Sequence, residues 1–217
     1  MFLLPYEFSW FAMVFFGGTG FLFVRGQRVL SKAGTPLPGW RVALFWLGFV
    51  LAYVVMHTQF DYFAQFMFFI HRIQHLVLHH LAAILLMASN PWKVLSAGFP
   101  EGKTKHLVAR ALSSRAIQIP YRIVQFPPLA GFIFVGLIFF WLMPEVHFKA
   151  MLSQPLYLVM NWSMFLDGIL FWWLILDPRS PVRARTLGFG KRIIVIWFVT
   201  VPQLGLGAYI VTSPANL

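Results

Sequence analysis

Four of the seven histidines fall within ten residues of one apolar segment, where their spacing could bring several imidazoles to one metal ion. The segment at 62–90 reads YFAQFMFFIHRIQHLVLHHLAAILLMASN. Residues four apart share one face of a helix. A series with that spacing is formed by Met67, His71, His75 and His79. His80 is predicted to point away from His71. Ionisable side chains at membrane depth are costly and usually mark a site.

The residue types available restrict which metal such a site could hold. The chain has no cysteine, so thiolate sites, iron–sulfur clusters and disulfides are excluded. Histidine and methionine near one end of the spans, without cysteine, favour copper over zinc. The predicted metal ligands are His71, His75, His79, His147, His57 and Met67. Three further residues are predicted to support them: Gln74, Asp167 and Arg72. Asp167 is expected either to pair with Arg72 or to orient a histidine.

Other uses of the same residues stay open at this point. A pair of histidines four apart fits a metal ion, and it also fits two side chains hydrogen-bonded to neighbouring helices. A bis-histidine haem needs histidines on two facing spans, and only the third predicted span has buried ones, which makes haem binding less favoured. The sequence has no nucleotide-binding loop, no Ser/His/Asp arrangement and no paired carboxylates, so no enzymatic activity is predicted.

The composition indicates an all-α, polytopic integral membrane protein. The 217 residues are 59% apolar, 18% aromatic and only 11% charged, which is unusual for a soluble domain and typical of membrane-spanning helices. The net charge of +11 comes from basic residues between apolar stretches. That placement fits contact with membrane lipid rather than with nucleic acid. Residues 1–217 are predicted to form a single transmembrane domain.

About six membrane spans are predicted, roughly at 8–24, 42–56, 62–88, 124–143, 155–176 and 193–211. Asn90-Pro91 and Asp177-Pro178 are expected to end the third and fifth. Nearly all of the 17 Lys and Arg residues lie in the loops after spans one, three and five. The positive-inside rule then places those loops in the cytoplasm and the N-terminus outside. Residues 104–118 are predicted to be an amphipathic helix on the inner membrane surface or a basic loop near anionic lipid.

Three stretches of the chain resemble a known family. FFIHRIQHLVLHHLAAILLMASNPW resembles the H-x-x-Q-H-x-x-L segment and the Pro-containing loop of CtaG-type cytochrome c oxidase assembly factors. FLDGILFWWLILDPRSP resembles their later span, and VPQLGLGAYI resembles the one after it. The likeness extends from about residue 60 to residue 217. By motif match, His71, Gln74 and His75 occupy the signature positions, and His147 matches a histidine before the later span.

The resemblance implies a protein of the bacterial inner membrane that delivers copper to a haem–copper oxidase subunit. In that mechanism His71 and His75 hold the ion in a groove open to the outer face. His147 or His57 and a methionine complete a labile site, and the ion passes to the partner by ligand exchange. The competing expectation is a structural or scaffold subunit of a larger respiratory complex that binds no metal. Neither expectation specifies an oligomeric state.

Overall fold

The computed structural model describes Pro5, residues 9–178 and residues 187–212, and these residues contain helices and no strand. The helices are α1 (Trp10–Lys32), α2 (Gly39–His57), α3 (Gln59–Phe66), α4 (Phe68–Leu76), a π-helical segment (Val77–Ala82), α5 (Ala83–Ala88), α6 (Pro91–Gly98), α7 (Lys103–Ser113), α8 (Arg115–Val124), α9 (Pro127–Leu142), α10 (Pro144–Leu152), α11 (Gln154–Leu176) and α12 (Phe189–Thr212). The all-α prediction is confirmed.

Four stretches of the described chain are long and apolar enough to cross a membrane: Gly39–His57, Phe68–Ala88, Gln154–Leu176 and Phe189–Tyr209. A fifth crossing would need α8 and α9 together, and these meet at a bend of 76°. The prediction of about six spans is therefore not confirmed. The 16 residues of α9 extend only about 24 Å, less than the roughly 30 Å hydrocarbon core. The apolar run of α1 is interrupted by Arg25 and Arg28.

The third predicted span is not one continuous α-helix, which corrects the stripe expected from the sequence. Met67 has an extended backbone (φ −120°, ψ 108°), so α3 ends before it and α4 begins after it. The membrane-length stretch therefore starts at Phe68, and Met67 is not part of its helical face. Further along, the π-helical segment contains His79 and His80 and changes the helical register after Leu76.

The π-helical segment lies between α2 and α11, and a glycine on each makes room for it. A Cβ atom on Gly48 of α2 would lie 2.8 Å from the carbonyl oxygen of Ala82. A Cβ atom on Gly168 of α11 would lie 2.6 Å from the carbonyl oxygen of His79. Both separations are too short for any side chain, so glycine allows the backbones to touch. The histidine-bearing span is thus held on two sides at its irregular segment.

The stretch after the third span is largely helical. Asn90 adopts a left-handed conformation (φ 53°) and Pro91 begins α6, so the predicted end of the span at this dipeptide is confirmed. α6 packs against α1, where a Cβ atom on Gly26 would overlap the carbonyl oxygen of Val94. α7 and α8 bury no side chain and are separated at Ser114. The amphipathic helix predicted at 104–118 is therefore two helices.

α12 is the peripheral helix of the bundle, with most of its apolar side chains exposed. Arg192 near its start donates to the carbonyl oxygens of Ile175 and Asp177, both at 2.8 Å. These bonds satisfy carbonyl groups at the C-terminal end of α11. Further along, Val199 packs with Phe134 of α9 and Phe171 of α11. α12 is therefore fixed to the bundle through α9 and α11.

Candidate metal centre

Three imidazoles from two helices gather at one end of the bundle. His71 and His75 lie one turn apart on α4, and His147 lies on α10. The ring centroid of His71 is 4.2 Å from that of His75 and 5.1 Å from that of His147. A metal–imidazole bond is about 2.0 Å long, so two rings that share one ion have centroids up to roughly 6 Å apart. His71 is therefore close enough to each of the other two to share an ion with it.

Four of the six ring nitrogens of this three-histidine cluster lack a hydrogen-bond partner among the described residues. Both ring nitrogens of His71, Nε2 of His75 and Nδ1 of His147 are buried and unpaired. His71 has no exposed surface at all. A buried polar group without a partner costs about 1–3 kcal/mol. Such a cost at several adjacent nitrogens is expected where the nitrogens serve as ligands for something that binds.

The cluster is not a closed metal site as it stands. Among the residues that the structure describes, no group of three or more His, Cys, Asp or Glu side chains is already arranged to hold a metal ion. The His71 ring is inclined by 54° to that of His75 and by 55° to that of His147. Ring rotation, or a ligand supplied by a partner, would be needed to complete the coordination.

A buried polar network fixes the face of α4 that carries the two histidines. Gln74 lies between them in sequence, and its Nε2 donates to Asp61 Oδ1 at 2.7 Å and to the carbonyl of Val55 at 2.6 Å. The Tyr157 hydroxyl lies 2.7 Å from Asp61 Oδ1 and 3.2 Å from Gln74 Oε1. Its single proton makes the shorter bond to the carboxylate. α4 is thereby tied to α2, α3 and α11, which sets the orientation of its histidines.

The metal-site patterns of the sequence do not indicate two members of this network, Asp61 and Tyr157. Asp61 directly precedes the third predicted span, and it is buried in α3. It also lies in the first turn of α3, where a carboxylate is favoured by the helix N-terminus. One sequence signal points to this role of Asp61. It is the only acidic residue of the apolar stretch FDYFAQF, and the following apolar stretch contains the amide Gln74 as a polar partner.

Removing the Tyr157 hydroxyl tests whether this network holds the site together. Tyr157→Phe leaves the ring in place but deletes the donor to Asp61, so we expect a loss of about 1.5–3 kcal/mol in the free energy of unfolding. Thermal unfolding in detergent measures the loss. Tyr209→Phe is the matched control, because Tyr209 is 66% exposed on α12 and its substitution should be nearly neutral. Equal stability of the two variants would contradict the role given to the network.

Arg72 places a positive charge beside the cluster, and it does not pair with Asp167 as one alternative expected. Its guanidinium lies 4.4 Å from the Phe68 ring centroid, and its Nε and Nη2 have no hydrogen-bond partner among the described residues. His147 lies outside the membrane-length stretches. Burial lowers the pKa of His147, and the nearby Arg72 charge lowers it further. His147 is therefore neutral, as a metal ligand must be, down to below its ordinary titration range.

Asp167 pairs with His79, which is the second alternative that the sequence offered. The Asp167 Oδ2 atom lies 2.9 Å from Nε2 of His79. The His79 ring stacks on Phe134 at 3.9 Å, and Trp172 donates to the His79 carbonyl at 3.2 Å. A neutral imidazole that donates from Nε2 leaves Nδ1 as a free acceptor. Nδ1 of His79 is buried and has no partner among the described residues.

The remaining predicted residues lie elsewhere. His57, at the end of α2, contacts the rings of Phe16 at 5.4 Å and Tyr53 at 5.9 Å. Met67 is half-exposed at the break between α3 and α4. His80 is partly buried, and its ring lies 5.2 Å from that of Phe134. The structure thus gathers His71, His75 and His147, and it places His57 in an aromatic environment of its own.

Comparison with known proteins adds one finding. Residues 21–217 match the family model described as cytochrome c oxidase caa3 assembly factor. No curated protein and no solved structure matches the chain. The matched range includes the histidine-bearing span, α10 and α11, and so contains every residue of the three-histidine cluster and of the polar network around it.

Proposed function

The chain belongs to the cytochrome c oxidase caa3 assembly factor family, and we propose that it assists assembly of a haem–copper oxidase by holding copper at His71, His75 and His147. In this proposal the protein is a carrier and catalyses no reaction. Copper reaches the three-histidine cluster, and an oxidase subunit then takes it by ligand exchange. Neutral imidazoles suit copper, and the absence of cysteine in the chain leaves nitrogen donors as its main ligands.

The observation that carries the proposal is the set of unpaired buried nitrogens on three adjacent rings. Structural histidines in a helical bundle normally donate to or accept from a neighbour, because an unpaired buried group is costly. Here neither ring nitrogen of His71 makes a well-formed hydrogen bond within the described chain, although the Gln74 side chain interacts with the ring. The neighbouring Gln74, Asp61 and Tyr157 are hydrogen-bonded to one another. The polar side chains that position the ligands have hydrogen-bond partners, whereas the imidazole nitrogens that would bind the ion do not.

Orientation is part of the same proposal. The basic residues between the spans favour cytoplasmic placement of the loops after α1, α5 and α11. On that assignment the three-histidine cluster lies at the outer end of the bundle and the N-terminus is outside, in the bacterial inner membrane. α1 and the bent pair α8–α9 would then lie in the membrane beside the four membrane-length stretches, which accounts for the apolar character of α1 and α9.

The direct cellular test is the copper content of the oxidase in a strain that lacks this protein. We expect oxidase that retains its haem but contains little copper, and restoration of copper by the unmodified chain. The His106→Ala variant is the matched control, because His106 lies on α7, which buries no side chain, and should restore copper fully. Full copper occupancy of the oxidase without this protein would refute the proposal.

Copper binding should depend on pH in a specific direction. Because burial and Arg72 lower the pKa of His147, protons should not compete for this ligand at neutral pH. We expect a nearly constant copper affinity from about pH 8 to pH 6.5, and a fall only at lower pH. A chelator-competition titration at several pH values measures this. A loss of affinity that begins above pH 7 would contradict the neutral state assigned to His147.

A scaffold role without metal is the second candidate, and one observation favours it. The described residues form no ready-made group of three metal-ligating side chains. A scaffold would still be required for oxidase assembly, but the oxidase made without it would lose haem and copper alike or would not accumulate. Selective loss of copper, with haem retained, separates the carrier from the scaffold.

A further inference from the structure

α7 and α8 lie outside the packed part of the bundle, and we refer to them together as the surface helices. Neither helix buries a side chain, and Leu107, Ile119 and Ile123 are each more than half exposed. Residues 103–124 contain five Lys or Arg residues and no Asp or Glu. Exposed apolar side chains beside unopposed positive charges fit a partner that offers both an apolar layer and anionic groups.

Each surface helix has a basic face and an apolar face. On α8, Arg115, Gln118 and Arg122 are spaced i, i+3 and i+7, so they lie on one side of the helix. The opposite side carries apolar residues at a similar spacing, namely Ala116, Pro120 and Ile123. The basic spacing recurs on α7 in Lys103, His106 and Arg110. Basic amphipathic helices of this kind are typical of membrane surfaces.

The packing of α9 shows how α8 is directed relative to the spans. Gln125, just before α9, donates to the carbonyl of Leu170 at 2.9 Å, and Trp141 near its end donates to Ser163 at 3.1 Å. The contacts move backward along α11 as α9 advances, so α9 runs antiparallel beside this membrane-length helix. The bend of 76° between α8 and α9 therefore turns α8 away from the direction of the spans and toward the membrane plane.

The same contacts indicate the depth at which α8 ends. The 23 residues of α11 extend about 34 Å, slightly more than the roughly 30 Å hydrocarbon core, so Leu176 at its end lies near one boundary. Gln125 contacts α11 at Leu170, which is about 9 Å before that end at ~1.5 Å per residue. Amphipathic helices bury their apolar face about 5–10 Å into the boundary between headgroups and acyl chains. The end of α8 thus lies at this depth.

We propose that the surface helices lie in this boundary layer and bind anionic phospholipid, with their apolar faces against acyl chains and their basic faces against headgroups. The depth of α8 favours lipid over a soluble protein, which would have to reach inside the end of α11. The positive charges of residues 103–124, with no carboxylate among them, favour anionic over zwitterionic headgroups. These residues are separate from the three-histidine cluster, so the inference does not depend on copper binding.

The test measures the lipid next to α8 in the full-length protein in nanodiscs. The chain has no cysteine, so one introduced cysteine carries one fluorophore. Ile123→Cys places the fluorophore on the apolar face of α8, and His106→Cys places it on the basic face of α7. The nanodiscs contain equal amounts of phosphatidylcholine and phosphatidylglycerol, and one of the two lipids has brominated acyl chains, which quench fluorescence at short range. We expect strong quenching at Ile123→Cys and weak quenching at His106→Cys.

The comparison of the two brominated lipids tests the charge preference. A basic side chain near the membrane surface should enrich an anionic lipid beside it by about fivefold. Brominated phosphatidylglycerol should therefore quench Ile123→Cys more strongly than brominated phosphatidylcholine. Adding Arg115→Gln and Arg122→Gln should bring the two lipids close to equal quenching without lowering their summed effect. Lys149→Gln is the matched control, because Lys149 is an exposed residue of α10 and its replacement should leave the preference intact.

Each contrary result overturns a defined part of the inference. Weak quenching of Ile123→Cys by both lipids would place α8 outside the bilayer and leave its apolar face for a protein partner or a second copy of the chain. Equal quenching by the two lipids, with both arginines present, would contradict the preference for anionic headgroups. A preference that survives the loss of both arginines would contradict their role in lipid binding. The substituted side chains are all exposed or pack against no core residue, so the variants should fold as the parent does.

Discussion

Replacement of His71 by leucine is expected to abolish copper binding and, at the same time, to make the metal-free protein more stable. His71 is the central ring of the three-histidine cluster, within 4.2 Å of His75 and 5.1 Å of His147. Without it, copper bound to the purified protein should fall from about one ion per chain to background. Metal analysis after desalting, with His106→Ala as the control, measures this loss.

The expected gain in stability has a separate cause. His71 is fully buried with both nitrogens unpaired among the described residues, and leucine has a similar volume but no polar side-chain atoms. Removal of these unpaired groups should raise the free energy of unfolding by about 1 kcal/mol, after allowance for imperfect packing. Replacement of a structural histidine would instead lower the free energy of unfolding, because it would break hydrogen bonds. A less stable His71→Leu protein that still binds copper would therefore refute the ligand role.

Substitution of Gly168 by alanine is expected to destabilise the histidine-bearing region strongly. The new Cβ atom would lie 2.6 Å from the carbonyl oxygen of His79 and 3.0 Å from its Cα atom. Backbone atoms cannot rotate away as a side chain can, so α11 must separate from the π-helical segment. We expect a loss of about 3 kcal/mol in the free energy of unfolding, at the upper end for overpacked sites.

Gly136→Ala provides the matched control for this substitution. Gly136 also lies within an apolar helix, α9, but a Cβ atom there meets only the side chain of Phe132 at 4.0 Å. Alanine in an open helical position should stabilise the protein by up to about 1 kcal/mol. Thermal unfolding of the two variants side by side should thus give shifts of opposite sign. Equal shifts would mean that α11 does not approach the π-helical segment as closely as described.

Two helix ends could be predicted from the sequence because local chemistry determines them. Asn90 and Pro91 end the histidine span through a left-handed residue and a missing amide donor, and both effects are properties of the residues themselves. The end of α11 at Leu176, before Asp177-Pro178, follows from the restriction that proline places on the residue before it. The predicted number of about six spans is not confirmed, because α1 carries arginines and α9 is short.

The π-helical segment could not be predicted, because its causes lie on other helices. Nothing in VLHHLA alone disfavours a regular α-helix. The segment lies where Gly48 and Gly168 admit neighbouring backbones and where Trp172 donates to the His79 carbonyl. The π turn alters the directions of the two histidines within it relative to a regular helix. The expected single stripe of residues was wrong for this reason and because of the break at Met67.

Only the part of the candidate site that lies on a single helix could be predicted from the sequence. The spacing of His71 and His75 placed both on one face, because that relation is local. The approach of His147 on α10, and the burial of Asp61 against Gln74, depend on how separate helices pack. Sequence spacing carries no information about such contacts. A carboxylate at membrane depth needs a polar or positively charged partner, so the sequence leaves two alternatives for Asp167. The packing of the helices determines that the partner is His79.

The most direct test of the account is the copper environment in the purified, copper-loaded protein, measured by X-ray absorption at the copper edge. The account predicts a first shell of imidazole nitrogens at about 2.0 Å, which disappears together with the bound copper in His71→Leu and persists in His106→Ala. A protein that retains no copper, or one whose copper signal is the same in His71→Leu as in the parent, would contradict it.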